Sequence, residues 1–120
     1  MDNYKLISSD SHIYEPPELW QERIDPRFKG RAPYLAHDED TDQWYADGDI
    51  KFGVVGGNQQ AGARFEKPGD LSYSGRYTTA PQGGFDPHAR IKDLDLDSVE
   101  SDVLYPSMAL MAYGIPASDL

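Results

Sequence analysis

The chain has 120 residues, a formal net charge of −10, 38% hydrophobic and 27% charged residues, and no cysteine. Such a length suffices for one small domain with a modest core. The acidity argues against nucleic acid or an anionic membrane surface as partner, and the lack of cysteine excludes a disulfide framework and a thiolate zinc site.

Residues 4–9, Tyr-Lys-Leu-Ile-Ser-Ser, read as a short strand with imperfect apolar alternation. Pro16-Pro17 then forces extended backbone. Pro17 suits the first position of a short helix running through Leu19, Trp20 and Ile24, which Asp25-Pro26 ends or restarts. Residues 30–84 are the least regular part. Within them, Gln43-Trp44-Tyr45-Ala46 and Ile50-Lys51-Phe52 flank Asp47-Gly48, which predicts a two-stranded hairpin. The glycines of 53–63 predict a flexible loop, because neither a P-loop nor the dinucleotide-binding spacing is present. More loop is expected over 64–84.

Asp86-Pro87 is a helix start, with Asp as N-cap and Pro at the first helical position. Ile91, Leu94 and Val99 form the expected buried stripe, with Arg90 and Asp93 pairing on the outer face. Val103-Leu104-Tyr105 reads as a buried strand closed by Pro106, and Met108 to Leu120 as a Gly/Pro loop. Strand, excursion, helix and strand make a βαβ unit whose two strands should be parallel.

The chemistry concentrates in Asp10-Ser11-His12, directly after the first strand. Residues two apart on a strand share a face, which brings carboxylate and imidazole within about 6–7 Å at the backbone. Carboxylate oxygen with imidazole nitrogen suits zinc, manganese or iron. Glu15 follows closely and has two readings: it orients a ligand, or it caps the following helix. Trp20 reads as packing, with substrate stacking as the alternative. Tyr105 reads as a strand end, with a place at the site's mouth as the alternative. His37, in an acidic loop, and His88, in the first turn of the helix, read as solvated surface histidines. Without a Gly-x-Ser-x-Gly, a cysteine or a P-loop, a serine or cysteine nucleophile has no support.

Two stretches carry a family resemblance. One runs over residues 4–20 and contains Asp10-Ser11-His12-Ile13-Tyr14-Glu15-Pro16-Pro17. The other is Phe85-Asp86-Pro87-His88-Ala89-Arg90-Ile91-Lys92-Asp93-Leu94, continuing to Ser107. Together they resemble the amidohydrolase superfamily, in its branch of amidohydrolase-related decarboxylases such as the aminocarboxymuconate-semialdehyde and resorcylate decarboxylases. The resemblance implies an α/β fold: the N-terminal fragment of a (β/α)8 TIM barrel. Residues 1–120 would supply the first strand, a long insertion at about 30–84 with its hairpin, the first helix and the second strand. A complete barrel takes about 250 residues, so the remainder of the barrel is expected to be absent. Relatives usually carry glycine where this chain has Ser98. At positive φ, serine there costs about 1 kcal/mol.

The resemblance also implies metal ligation by Asp10 and His12, with zinc first and manganese second. Catalytic zinc wants about three protein ligands. Relatives draw the others, with the catalytic acid, from later strands, so the catalytic residues are expected beyond Leu120. The implied activity is non-oxidative decarboxylation of a small carboxylated aromatic or enol acid. One alternative is hydrolysis of an amide, ester or lactone at the same kind of site. Another is a truncated, inactive chain whose open strand edges favour self-association. No apolar stretch approaches the roughly 18 residues of a membrane span, and the N-terminus lacks the layout of a signal peptide. The cytoplasm is therefore the expected location.

Overall fold

The computed structural model describes residues 4–60 and 67–116. Residues 61–66, part of the predicted glycine-rich loop and of the loop after it, lie outside the described residues. So do residues 117–120, the end of the predicted Gly/Pro loop up to Leu120. The architecture is mixed α/β, with a parallel pair and a small antiparallel sheet. Its radius of gyration is 16.5 Å, against about 14 Å for a compact domain of this length. The chain is therefore elongated. Among the described residues no helix is long and apolar enough to cross a membrane.

Strand β1 (Leu6–His12) pairs in parallel with β5 (Val99–Tyr105). Helix α2 (Pro87–Leu96) connects into β5. Its start is as expected: Pro87 opens it and the Asp86 carboxylate accepts the His88 N–H at 2.9 Å. Ser98 ends the turn into β5 with φ 59°, the left-handed conformation that favours glycine.

Helix α1 (Leu19–Arg23) is shorter than expected and begins after Pro17. Asp25-Pro26 restarts the chain as a 3-10 turn over Pro26–Arg31, with Asp25 accepting the Arg27 N–H. Strands β2 (Tyr34–His37), β3 (Asp42–Ala46) and β4 (Ile50–Val54) form the antiparallel sheet. The hairpin turns where the sequence says, at Asp47 (φ 49°) and Gly48 (φ 90°), the two positive φ values of a tight hairpin turn. Arg31 clamps that turn by gripping both Asp47 oxygens. β2 makes this a three-stranded sheet rather than the expected two, with Tyr34 stacked on its cross-strand partner Tyr45 at 5.7 Å.

The core sits on this second sheet. Tyr14, Trp44, Val55 and Met108 are buried together, with Trp20, Leu35, Phe52 and Tyr77 packed around them. Gly53, expected in a flexible loop, is instead buried on β4. A Cβ there would lie 2.9 Å from the Met108 sulfur, so a side chain would push the Met108 thioether out of its seat between β4 and helix α3 (Met108–Ala112). That helix corrects the loop expected from residue 108 onward. It forms because Met108 finds an apolar socket.

The expected stripe between helix and strand is corrected too. Ile91 is 57% exposed, and Val103, Leu104 and Tyr105 are also exposed. Leu94 and Val99 are half-buried. Arg90 turns inward instead of pairing with Asp93. It reaches Asp102 with Nε at 2.9 Å and Nη2 at 2.5 Å. A nearly buried carboxylate needs that cation, which outweighs a surface pairing worth a few tenths of a kcal/mol.

Candidate metal centre

Parallel pairing sets the C-terminal ends of β1 and β5 side by side, with His12 opposite Tyr105. Asp10 and His12 project to the same side, as their two-residue spacing requires. Asp10 Oδ1 lies 3.5 Å from His12 Nε2, and both side chains are open to solvent. On the other side of the ring, His12 Nδ1 is 3.3 Å from the Pro106 carbonyl oxygen. That oxygen and the Asp10 carboxylate can both only accept, so each ring nitrogen faces an oxygen that would take its proton.

The backbone beneath is tied down twice. Arg90 Nη1 donates to the His12 carbonyl at 3.2 Å, and the Ile13 N–H donates to the Tyr105 carbonyl at 3.0 Å. A cleft of about 660 Å³ opens beside the site, lined by Ser8, Ser11, His12, Arg90 and Met111 among others. The Ser8 and Ser11 hydroxyls are 2.8 Å apart on its wall.

The donor pair fits a divalent ion. Two ligands about 2.0–2.2 Å from one tetrahedral ion lie roughly 3.3–3.6 Å apart, and Asp10 with His12 matches this separation. They would supply two of the ligands. Among the described residues no group of three or more His, Cys, Asp or Glu side chains is placed to hold a metal.

The other candidates fall in different places. Glu15 is 2% exposed, and its oxygens accept the Met108 and Ala109 N–H groups, each at 3.0 Å. It therefore caps α3, 93 residues away, rather than the helix that follows it. Trp20 meets Trp44 edge-on at 5.3 Å in the core and does not line the cleft. Tyr105 ends β5 with its ring tilted 6.1 Å from the His12 ring, and it does not line the cleft. His88 is exposed. His37 is exposed too, with a 76% exposed side chain, and its Nδ1 lies 2.6 Å from Asp42.

Asp42 is the residue that sequence reasoning missed. It is 1% exposed and gathers His37, the Arg76 guanidinium at 2.9 Å and the Tyr77 N–H at 2.8 Å. Burial pushes its carboxyl up, but the Tyr77 N–H, His37 and Arg76 outweigh burial and hold it below the usual carboxylate range. Its place in an acidic run gave no local signal, because Arg76 and Tyr77 lie more than thirty residues on. Tyr77 packs edge-on against Tyr14 at 5.7 Å, two residues beyond His12. Burial pushes the Tyr77 hydroxyl up to about 12 and raises the Tyr14 hydroxyl as well. Tyr14 donates to the Val55 carbonyl at 2.5 Å. These phenols hold the insertion against the strand that carries the site.

No family model matches the chain, and no curated protein matches it. Solved structures do. One is the crystal structure of an amidohydrolase from Mycobacterium avium subsp. paratuberculosis K-10, at 23% identity and a TM-score of 0.56. The match covers 89% of this chain and 31% of that one, so the chain spans about a third of that protein's length. The fold described above is thus also found within an amidohydrolase.

Proposed function

We propose that this chain is the N-terminal part of an amidohydrolase-type (β/α)8 barrel, residues 30–84 being its first insertion, and that Asp10 and His12 are ligands of a divalent metal, zinc before manganese. The observation that carries this reading is the 3.5 Å convergence of Asp10 Oδ1 and His12 Nε2 at the C-terminal end of a parallel strand, where barrels of this class keep their functional groups.

When bound, the ion supplies Lewis acidity and a template for a carboxylate substrate. Asp10 contributes charge neutralisation, and His12 contributes an imidazole nitrogen. The favoured activity is decarboxylation of a small carboxylated aromatic or enol acid, which the motif stretches favour. Hydrolysis of an amide, ester or lactone is the second reading, favoured by the name of the similar structure. The open edges of β1 and β5 also favour self-association.

Calorimetric zinc titration of the chain tests the site. The expected result is weak binding at one ion per chain, since two ligands do not enclose an ion. Asp10→Ala and His12→Ala should each abolish it with the circular dichroism unchanged. Equal binding by both variants and the parent removes the assignment. Carbon dioxide release and amide or ester hydrolysis, assayed on a full-length relative with the same two substitutions, separate the two activities.

A further inference from the structure

The chain holds one Asp-Gly pair, Asp47-Gly48, and no Asn-Gly. Asp-Gly is chemically self-reactive. The glycine nitrogen attacks the aspartate carboxyl carbon, a nitrogen–carbon bond forms, and the carboxyl hydroxyl leaves with the amide proton as water. Water then adds back to either carbonyl of the imide ring and reopens it, to aspartate or to isoaspartate. In isoaspartate the main chain runs through the Cβ and Cγ of the former side chain. Glycine favours the attack because no side chain shields its nitrogen. Asp47 and Gly48 also supply the two positive φ values of the turn, so the residues that make the hairpin are the ones that can undo it.

Arg31 Nε donates to Asp47 Oδ1 at 2.5 Å and Arg31 Nη2 to Oδ2 at 3.0 Å. The Asp47 N–H donates to the Arg31 carbonyl at 2.9 Å, and the Tyr34 hydroxyl to the Gly48 carbonyl at 2.8 Å. Ring closure has to bring the carboxyl carbon onto the Gly48 nitrogen, which turns its oxygens out of the guanidinium fork. That fork is bidentate and part-buried, the strong form of a charged hydrogen bond. Register is what the grip protects. Isoaspartate adds a methylene to the main chain at the turn, and turn geometry sets hairpin register. That register places Trp44 opposite Gly53, at the Met108 seat.

We propose that Asp47-Gly48 is a latent self-modification site, a turn that converts to isoaspartate, and that Arg31 holds it unreacted by gripping both carboxylate oxygens.

The test holds the parent, Arg31→Ala and Arg31→Lys at neutral pH and physiological temperature and follows isoaspartate at residue 47 by peptide mapping. The parent in urea gives the rate of the unfolded sequence. In native buffer the parent should react more slowly than in urea by over tenfold, and folded Arg31→Ala about tenfold faster than the native parent, the factor carried by a hydrogen bond to a charged group. Arg31→Lys keeps the charge without the fork and should fall between. Arg90→Ala weakens the other half of the molecule and should leave the rate at Asp47 as in the parent. If Arg31→Ala fails to fold, Arg31→Lys decides: a rate above the parent's in a folded chain supports the role, and an equal rate overturns it. A parent that reacts as fast in native buffer as in urea overturns the proposal, as does a folded Arg31→Ala no faster than the parent. Arg90→Ala accelerating the reaction as much as Arg31→Ala overturns it too, by tracing the reaction to general unfolding.

Discussion

Trp44 and Leu104 lie on strands of the same chain and meet opposite surroundings. Trp44 is fully buried on β3, edge-on to Trp20 and close to Phe52. Leu104, on β5, is 47% exposed, and its neighbours Val103 and Tyr105 are similarly open. The antiparallel sheet therefore has a core, which Tyr14, Trp20 and Met108 complete from outside it, whereas the parallel pair with its helix leaves apolar surface exposed. The candidate centre sits on the open half and is braced by the closed half, through Tyr14, Tyr77 and the seat of α3 on β4. A long excursion between two strands is here more than a loop: it is the better-packed part of the molecule.

That contrast is easiest to break by truncation. Trp44→Ala should cost about 3–5 kcal/mol, the range for emptying a buried large aromatic site. Leu104→Ala should change stability by no more than about 0.5 kcal/mol, as at other exposed positions. Urea unfolding of the two variants against the parent checks this. Comparable losses would show that β5 is covered in solution, for instance by a second copy.

Arg90 marks where the open half does have an interior. Its pairing with Asp102 puts a carboxylate with an 8% exposed side chain next to a guanidinium. Arg90→Ala strands that carboxylate and should cost about 3 kcal/mol. The loss should be local. Amide exchange should quicken in β1 and β5, where Arg90 also holds the His12 carbonyl, and stay slow in β3 and β4. Uniform quickening would mean that the two halves unfold as one.

Features that rest on a few neighbouring residues were legible in the sequence. Asp10 and His12 share a side because a strand repeats every two residues. Asp86-Pro87 starts a helix through its own chemistry, and Asp47-Gly48 supplies the two positive φ values of the hairpin. What was not legible depends on distant partners. The four residues of β2 carry little pattern and exist as a strand by pairing with β3. Arg90 had a plausible partner three residues on, but Asp102 needed it more. Glu15 finds its donors 93 and 94 residues away. The expected burial of Ile91 and Val103 assumed a covering layer that the described residues do not supply.

Asp42 offers a way to weaken the closed half alone by pH. Its carboxyl is held below the ordinary value of about 3.9. The unfolded chain therefore binds the proton first as pH falls. The stability it gives is complete above about pH 4 and is lost as pH drops through the lower folded value. Asp42→Asn should remove about 2 kcal/mol at neutral pH, the range for hydrogen bonds to a charged group, and flatten the acid limb of the stability curve. Thermal unfolding between about pH 2 and 7, in both proteins, reads both effects. An acid limb as steep in Asp42→Asn as in the parent would assign it to other carboxylates.

The smallest expected effect lies on the open half, at Ser98. After α2 ends, the Ser98 N–H reaches the Asp95 carbonyl at 3.2 Å, and its φ of 59° turns the chain into β5. Left-handed backbone costs a residue with a Cβ roughly 1–2 kcal/mol. Glycine escapes that cost but loses about 0.5–1 kcal/mol through its freer unfolded state. Ser98→Gly should therefore stabilise by about 0.5 kcal/mol, read as a higher urea midpoint with an unchanged slope. Ser98→Ala separates the cause: it removes the hydroxyl and keeps the Cβ, so no gain should follow. Equal gains from glycine and alanine would trace the effect to the hydroxyl. A gain from glycine alone would show that the turn from helix to strand is strained where relatives are expected to carry glycine.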